Sequence, residues 1–229
     1  METIPTIAVP EEVLFNWQEI ADLLADILEV PAALIMRVKE PYIEVFISSL
    51  SDGNPYHPGD REILKNSGLY CETVIKTDSR LLVPDALSDP AWAQNPDVKL
   101  NMISYLGLPI RAPDGRAFGT ICVLDKKPNA YDPSVVTLLE KFRDLIESNL
   151  GLVHMNQILG SRNKKLDDVI KELQVLRGIV PICAECHSIR DDHDEWQPFN
   201  QYLRSEPGTE LSHTICPTCR KKLYPDLSQ

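Results

Sequence analysis

The chain contains no run of about 18 or more apolar residues, so no membrane-spanning helix is expected. Its start, Met1–Pro10, has no basic stretch followed by a long apolar core, so no secretory leader is expected either. Positive charge is scarce: 23 Lys and Arg stand against 34 Asp and Glu, a net charge of −11. That balance opposes general nucleic-acid binding, which needs cations to displace counterions from phosphates. There is no internal repeat and no low-complexity tract. What remains is ordinary for a globular protein, with 43% hydrophobic and 25% charged residues. The 229 residues make one large domain or two small ones. The expected location is the cytoplasm, where thiols stay reduced. The six cysteines then read as metal ligands, core residues or redox groups rather than disulfides.

A helix is predicted after Pro10, with Glu11 and Glu12 at its positive end. Val13, Leu14, Trp17, Ile20, Ala21, Leu24, Ile27 and Leu28 recur at helical spacing up to Pro31. Ala33–Val38 and Tyr42–Ser48 read as strands, followed by a turn cluster at Ser51–Pro55. A short helix is expected around Gly68–Ile75, a brief strand at Leu81–Pro84 and one or two helical turns at Val98–Ile103. Tyr105–Arg111 and Ala117–Asp125 read as a hairpin, since Asp114-Gly115 lies between them.

Asp132-Pro133 marks a helix start, and the helical pattern then runs towards Arg177. Leu138, Leu145, Leu152, Leu159, Leu166 and Leu173 form a strict heptad ladder. Four residues after the first five stand Phe142, Asn149, Asn156, Asn163 and Ile170. Leu at d with Asn at a describes a two-stranded, parallel, in-register coil. The alternative is one long surface helix. Leu139, Ile146 and Val153 add a further apolar row that should pack on the preceding domain. Beyond Val153 this row becomes Gly160, Asp167 and Gln174, so a parallel homodimer is expected there. Gly151 and Gly160 weaken the helix, and Gly178 is its expected break.

The N-terminal motifs, taken in order, resemble a bacterial GAF sensory domain. They are Gly68-Leu69-Tyr70-Cys71-Glu72-Thr73-Val74-Ile75, Leu82-Val83-Pro84-Asp85-Ala86, Asp89-Pro90-Ala91-Trp92 and Asn95-Pro96-Asp97. Tyr105-Leu106-Gly107-Leu108-Pro109-Ile110, Pro113-Asp114-Gly115 and Phe118-Gly119-Thr120-Ile121-Cys122-Val123-Leu124-Asp125 complete the series. The resemblance implies an α+β fold: a six-stranded antiparallel sheet, helices on one face and a small-ligand pocket on the other. It places Tyr70, Cys71, Asp85, Trp92, Asn95 and Tyr105 at the pocket. The plainer reading makes Trp92 and Tyr105 core residues and Asp85 a turn residue.

Neither Cys71 nor Cys122 has an adjacent His, which argues against a covalently attached bilin. His57 reads as a solvated turn residue and His154 as an exposed helical one, so neither is an expected haem ligand. Some GAF proteins reduce free methionine sulfoxide with cysteines, and Cys71, near a helix start, is the natural candidate for a low-pKa thiolate. Cys122, within Ile121-Cys122-Val123, reads as a small hydrophobe.

Near the C-terminus, Cys183-x-x-Cys186 and Cys216-x-x-Cys219 are separated by 29 residues. Four thiolates suit tetrahedral Zn²⁺, so Cys183, Cys186, Cys216 and Cys219 are expected to hold a structural zinc ion. Ile182 and Ile215 are expected on strands entering the two knuckles, with a helix at Trp196–Arg204 between them. His187 and His213 read as surface or neighbouring residues rather than ligands. An iron–sulfur cluster is the alternative occupant; a thioredoxin-like redox pair lacks its βαβ setting. The segment resembles a Cys-rich tail found on bacterial receiver, PAS and GAF proteins.

The expected organisation is a GAF-like sensory domain at residues 11–150, a coiled-coil linker helix at 151–177 and a four-cysteine zinc-binding module at 178–229. The expected function is non-enzymatic signal transduction, with a small-molecule ligand, a parallel homodimer and an unidentified signalling protein as partners. The alternative is a thiol redox enzyme using Cys71 or the CxxC pairs.

Overall fold

The computed structural model describes residues 8–177, 181–191, 194–205, 212 and 214–224. Gly178 and His213 lie outside the described residues. The chain divides into two compact units, residues 1–161 and 162–229, and the division falls within a long helix.

The first unit opens with α1 (Glu11–Ile27) and continues through β1 (Ala32–Lys39), β2 (Tyr42–Ser48) and β3 (Arg61–Ile63). Then come α2 (Tyr70–Thr77), β4 (Leu81–Val83), a 3₁₀ turn (Pro96–Leu100), β5 (Ser104–Arg111), β6 (Ala117–Asp125) and α3 (Pro133–Arg177). The strands form one antiparallel sheet in the order β3-β2-β1-β6-β5-β4. β3 is an addition to the strands that the sequence suggests. It pairs Tyr42–Glu44 with Arg61–Ile63, and its three exposed side chains carry no hydrophobic pattern.

Period-two alternation divides the sheet's side chains between two cores. Ala33, Ile35, Ile121, Val123, Leu106, Leu108 and Ile110 face a core shared with Trp17, Ile20 and Leu24 of α1 and Leu139, Ile146 and Leu150 of α3. Ala32, Leu34, Met36, Cys122, Leu124 and Tyr105 face the opposite core, with Tyr70, Cys71 and Val74 of α2 and Ala86 and Met102 from the connections. The second face thus belongs to the segment that carries the pocket candidates. At Gly119 the strands β1 and β6 close tightly: a Cβ there would lie 1.7 Å from the Met36 carbonyl oxygen.

α3 begins as expected, with the Asp132 carboxylate accepting from the Ser134 backbone N–H. Its row Leu139, Ile146 and Val153 is buried, whereas Leu145, Leu152, Leu159 and Leu166 are exposed. One correction concerns Asn149. Its amide oxygen accepts the Trp17 indole N–H at 3.1 Å. A buried indole N–H needs an acceptor, so this Asn serves the chain's own core rather than a partner's copy of itself. Asn156 and Asn163 are exposed.

The second unit contains β7 (Ile189–Arg190), β8 (Trp196–Gln197), α4 (Phe199–Ser205) and α5 (Pro217–Leu223). Two expectations are corrected here. Trp196 is not helical: it pairs with Arg190 in a two-stranded ribbon, and the helix starts only at Phe199, after Pro198, which cannot donate to a preceding turn. Ile182 bridges to Ile189, but Ile215 is in no strand, because Cys216 and Pro217 immediately open α5.

Candidate functional site

The second face of the sheet brings together four of the six pocket candidates. Tyr70 stacks on Tyr105 with ring centroids 4.7 Å apart and meets the Trp92 ring at 5.4 Å. The Tyr70 hydroxyl donates to the Met102 carbonyl. Tyr105 runs along its own strand across Gly107, where a Cβ would lie only 2.0 Å from the tyrosine hydroxyl oxygen. The missing side chain is therefore what lets the ring lie flat. Its hydroxyl then reaches Cys71, 3.5 Å from Sγ.

Cys71, on the first turn of α2, is met by two hydroxyls. Thr120 Oγ1 donates to its sulfur at 3.3 Å. The Tyr105 hydroxyl is the other. The neighbouring Cys122, ahead of these hydroxyls, holds the Cys71 thiol below its ordinary value despite burial. Cys122 is pushed up, by Cys71 first and then by burial. Burial, with the Cys71 charge behind it, also raises Tyr105. Cys122 is fully buried in the apolar cluster. Its register partner on β5 is Gly107, so it lies beside the space that Tyr105 crosses.

Asn95 is buried but acts as a clamp: its Nδ2 donates to the Gly68 carbonyl at 2.7 Å and its Oδ1 accepts from the Asp97 backbone N–H at 2.9 Å. Asp85 holds its own turn, accepting from the Leu87 N–H and the Ser88 hydroxyl, which is the turn role of the plainer reading.

The sequence did not single out Asp97 or Tyr56. The Tyr56 hydroxyl donates to Asp97 Oδ1 at 2.8 Å. Burial pushes the Asp97 carboxyl up to about 6, against the lowering effect of the Tyr56 hydrogen bond. Among the described residues no Lys or Arg pairs with it. Asn95-Pro96 offered a signal for Asp97, since an Asn cap followed by Pro starts a short helix. Nothing local marks Tyr56, whose role depends on a contact 41 residues away.

An open groove of about 660 Å³ lies elsewhere, along the end of α1 and the segment after β6. None of the six candidates lines it. Two of its acids hold backbone: Asp22 accepts from the Leu50 N–H and Asp125 from the Lys126 N–H.

In the second unit Cys183–Cys186 is folded locally as a turn and Cys216–Cys219 as the start of α5. The Cys183 N–H donates to the Ser188 carbonyl and the His187 N–H to the Cys183 carbonyl. The Ser188 hydroxyl and backbone beside Cys186 bring that thiol down to about 7. Cys216 caps α5, accepting the Cys219 N–H at 3.4 Å, and this backbone bond lowers it too. Thiolates held in turns by backbone N–H groups are the donor chemistry that zinc requires. Among the described residues no three metal-ligating side chains converge on one point.

The comparisons with known proteins bear on the first unit. Residues 16–150 match the family model for the GAF domain. The chain belongs to the GAF domain family. No curated protein matches it. Among solved structures it is similar to residues 122 to 287 of a methyl-accepting chemotaxis protein, with TM-score 0.53 and 17% identity, covering 66% of this chain and 93% of that one. It is also similar to the free methionine-R-sulfoxide reductase from Neisseria meningitidis in complex with its substrate, with TM-score 0.53 and 13% identity, covering 66% and 84%. A third is the phycoerythrobilin-bound GAF domain of a cyanobacterial phytochrome, with TM-score 0.55 and 10% identity, covering 64% and 89%. At these identities the shared property is the fold, a sensor fold that also supports enzymes. No helix among the described residues is long and apolar enough to cross a membrane.

Proposed function

We propose that this protein is a non-enzymatic, cytoplasmic bacterial signalling protein. Its GAF domain responds to a small ligand and biases a parallel dimeric helix, and that helix carries a zinc-held module that docks a signalling partner. The observation that carries this reading is the division of labour along α3. Leu139, Ile146, Leu150 and Val153 are buried in the GAF core, while Leu145, Leu152, Leu159 and Leu166 stand exposed at seven-residue spacing. A helix that is core on one stripe and an unpartnered heptad seam on another is placed to couple the domain to a second copy. Ligand binding shifts the helix only if it favours one sheet–helix arrangement over another. The Tyr70–Trp92–Tyr105 cluster is the part of the domain that must rearrange to admit a ligand.

Cys183, Cys186, Cys216 and Cys219 would hold the zinc ion, whose contribution is structural. The acidic balance of the chain opposes nucleic acid as the partner.

The test is sedimentation of the full chain beside a variant with Leu152, Leu159 and Leu166 all changed to Asn. The expected result is a dimer for the former and a shift towards monomer for the latter. A full chain that stays monomeric at high micromolar concentration overturns the reading.

A further inference from the structure

Asp97 is a charge on the aromatic face that the fold leaves unbalanced. It is 9% exposed. Among the described residues the Tyr56 hydroxyl alone donates to its carboxylate, and no Lys or Arg forms an ion pair with it. A carboxylate has room for about four hydrogen bonds, and a buried charge is as a rule paired. Asp97 has one neutral donor and no counter-charge. Glu62 on β3, whose charge acts on it, is of the same sign.

The other prominent groups on this face are aromatic rings. Tyr70 stacks on Tyr105 and meets Trp92, and Tyr56 packs against the same cluster. Met102 ties the rings to Asp97: its carbonyl accepts the Tyr70 hydroxyl at 3.4 Å, and its N–H donates to the Asp97 carbonyl at 3.1 Å. A ring face is the negative end of the aromatic quadrupole, so it attracts a cation as a carboxylate does. Trp92 and Tyr56 are partly exposed and form the rim, while Tyr70, Tyr105 and Asp97 are enclosed.

The polar groups narrow the kind of cation. Among the described residues no three metal-ligating side chains converge, so a bare metal ion finds too few ligands. A primary ammonium brings three N–H groups that need acceptors. Asn95 is committed to the Gly68 carbonyl and the Asp97 N–H, and the Met102 carbonyl to Tyr70. What remains is chiefly one carboxylate and ring surface, which suits a positive charge that has no N–H to satisfy.

We propose that this face binds a small quaternary ammonium compound, with Asp97 opposing its charge and Tyr56, Tyr70 and Trp92 packing on its alkyl groups. This names a ligand class for the sensing face of the proposed function and rests on that reading for its consequence, since the closed rings must part to admit the compound.

The test is calorimetric titration of the full chain with choline and, separately, with its neutral isostere, in which carbon replaces the nitrogen. It is run at pH 8, where Asp97, raised to about 6, is ionised. Choline should bind about ten-fold or more tightly than the isostere, the worth of a desolvated cation on ring faces. Asp97→Asn keeps an acceptor for Tyr56; it should abolish that preference and leave the isostere's affinity unchanged. Trp92→Leu should weaken choline about five-fold through the lost ring face, and an unchanged affinity overturns the part assigned to that ring. Equal binding of the two compounds, or choline binding unaltered in folded Asp97→Asn, overturns the cation assignment and leaves a sensor of neutral ligands standing. Binding of neither compound also overturns it, and sedimentation of the full chain then decides the signalling reading separately.

Discussion

In the first unit Trp17, Tyr70, Tyr105, Leu24, Ile35, Ile121 and Leu124 are almost wholly enclosed, and two cores grip the sheet from both sides. Beyond residue 161 only Ile189 among the described apolar side chains is buried, while Ile182, Trp196, Phe199, Ile215 and Leu223 are exposed. The first unit has enough apolar burial to fold by that alone. Among its described residues the second shows no such core. Small modules of this kind usually draw their stability from a metal or cross-links. The same chain thus holds one domain whose cysteines, Cys71 and Cys122, are buried and another in which Cys186, Cys216 and Cys219 are exposed.

That contrast is most exposed to metal removal. Structural zinc contributes of order 10 kcal/mol to folding in small modules. Cys216→Ser, or a strong chelator, should abolish hydrogen-exchange protection in α4 and α5 while the GAF unit keeps its melting transition. Tail protection unchanged after chelation would show that the second unit needs no metal.

The reverse perturbation is Trp17→Ala. Trp17 is fully buried, meets Phe46 and Phe118 edge-on, and donates to Asn149. Its loss should cost the GAF unit about 3–5 kcal/mol, read by chemical denaturation, with zinc content unaltered. Metal lost together with the GAF transition would mean that the two units do not fold separately.

A smaller effect follows from Asp97. Its carboxyl is raised from 3.8 to about 6 by burial, so the fold prefers the protonated form. The resulting stabilisation is complete below pH 3.8 and is lost as pH rises through about 6. That interval corresponds to about 3 kcal/mol. Asp97→Asn keeps an acceptor for Tyr56 and removes the charge. Its stability relative to the wild type should therefore rise between pH 4 and pH 8. Parallel pH profiles for the two proteins would contradict a buried titrating Asp97.

The least severe change is at the exposed seam. Asn at a trades stability for pairing specificity, so Asn156→Leu with Asn163→Leu should tighten the dimer about ten-fold or more while admitting higher oligomers. A dissociation constant unchanged from wild type would place the interface elsewhere.

The sequence made the periodic elements legible. Ala117–Asp125 and Tyr42–Ser48 are where alternation puts them, and Asp132 caps α3. Most of the shortest elements were not, because two or three residues cannot express a period: β3, β7 and β8 have no pattern to read, and only β4, at Leu81–Val83, was expected. α5 was hidden because Cys216-Pro217 reads equally as a stiffened turn and as a helix start. At the pocket face, Tyr70, Cys71, Trp92 and Tyr105 were placed by motif. The contacts of Cys71 with Tyr105 and Thr120 and the Tyr56–Asp97 bond are tertiary, set by the strand order and by a helix laid across it. Strand alternation did at least put Thr120 and Cys122 on one face. Asn149 shows the converse: a heptad position is a statement about spacing, and Trp17 decides what that side chain does.

Native mass spectrometry of the full chain, purified under reducing conditions, tests the central claim most directly, because subunit number and metal are read from one mass. The expected species at micromolar concentration is two chains with two zinc ions, falling to metal-free chains with a disordered tail when the ions are stripped. A chain that is monomeric, or a dimer carrying no zinc, would contradict a GAF domain coupled through a paired helix to a metal-held module.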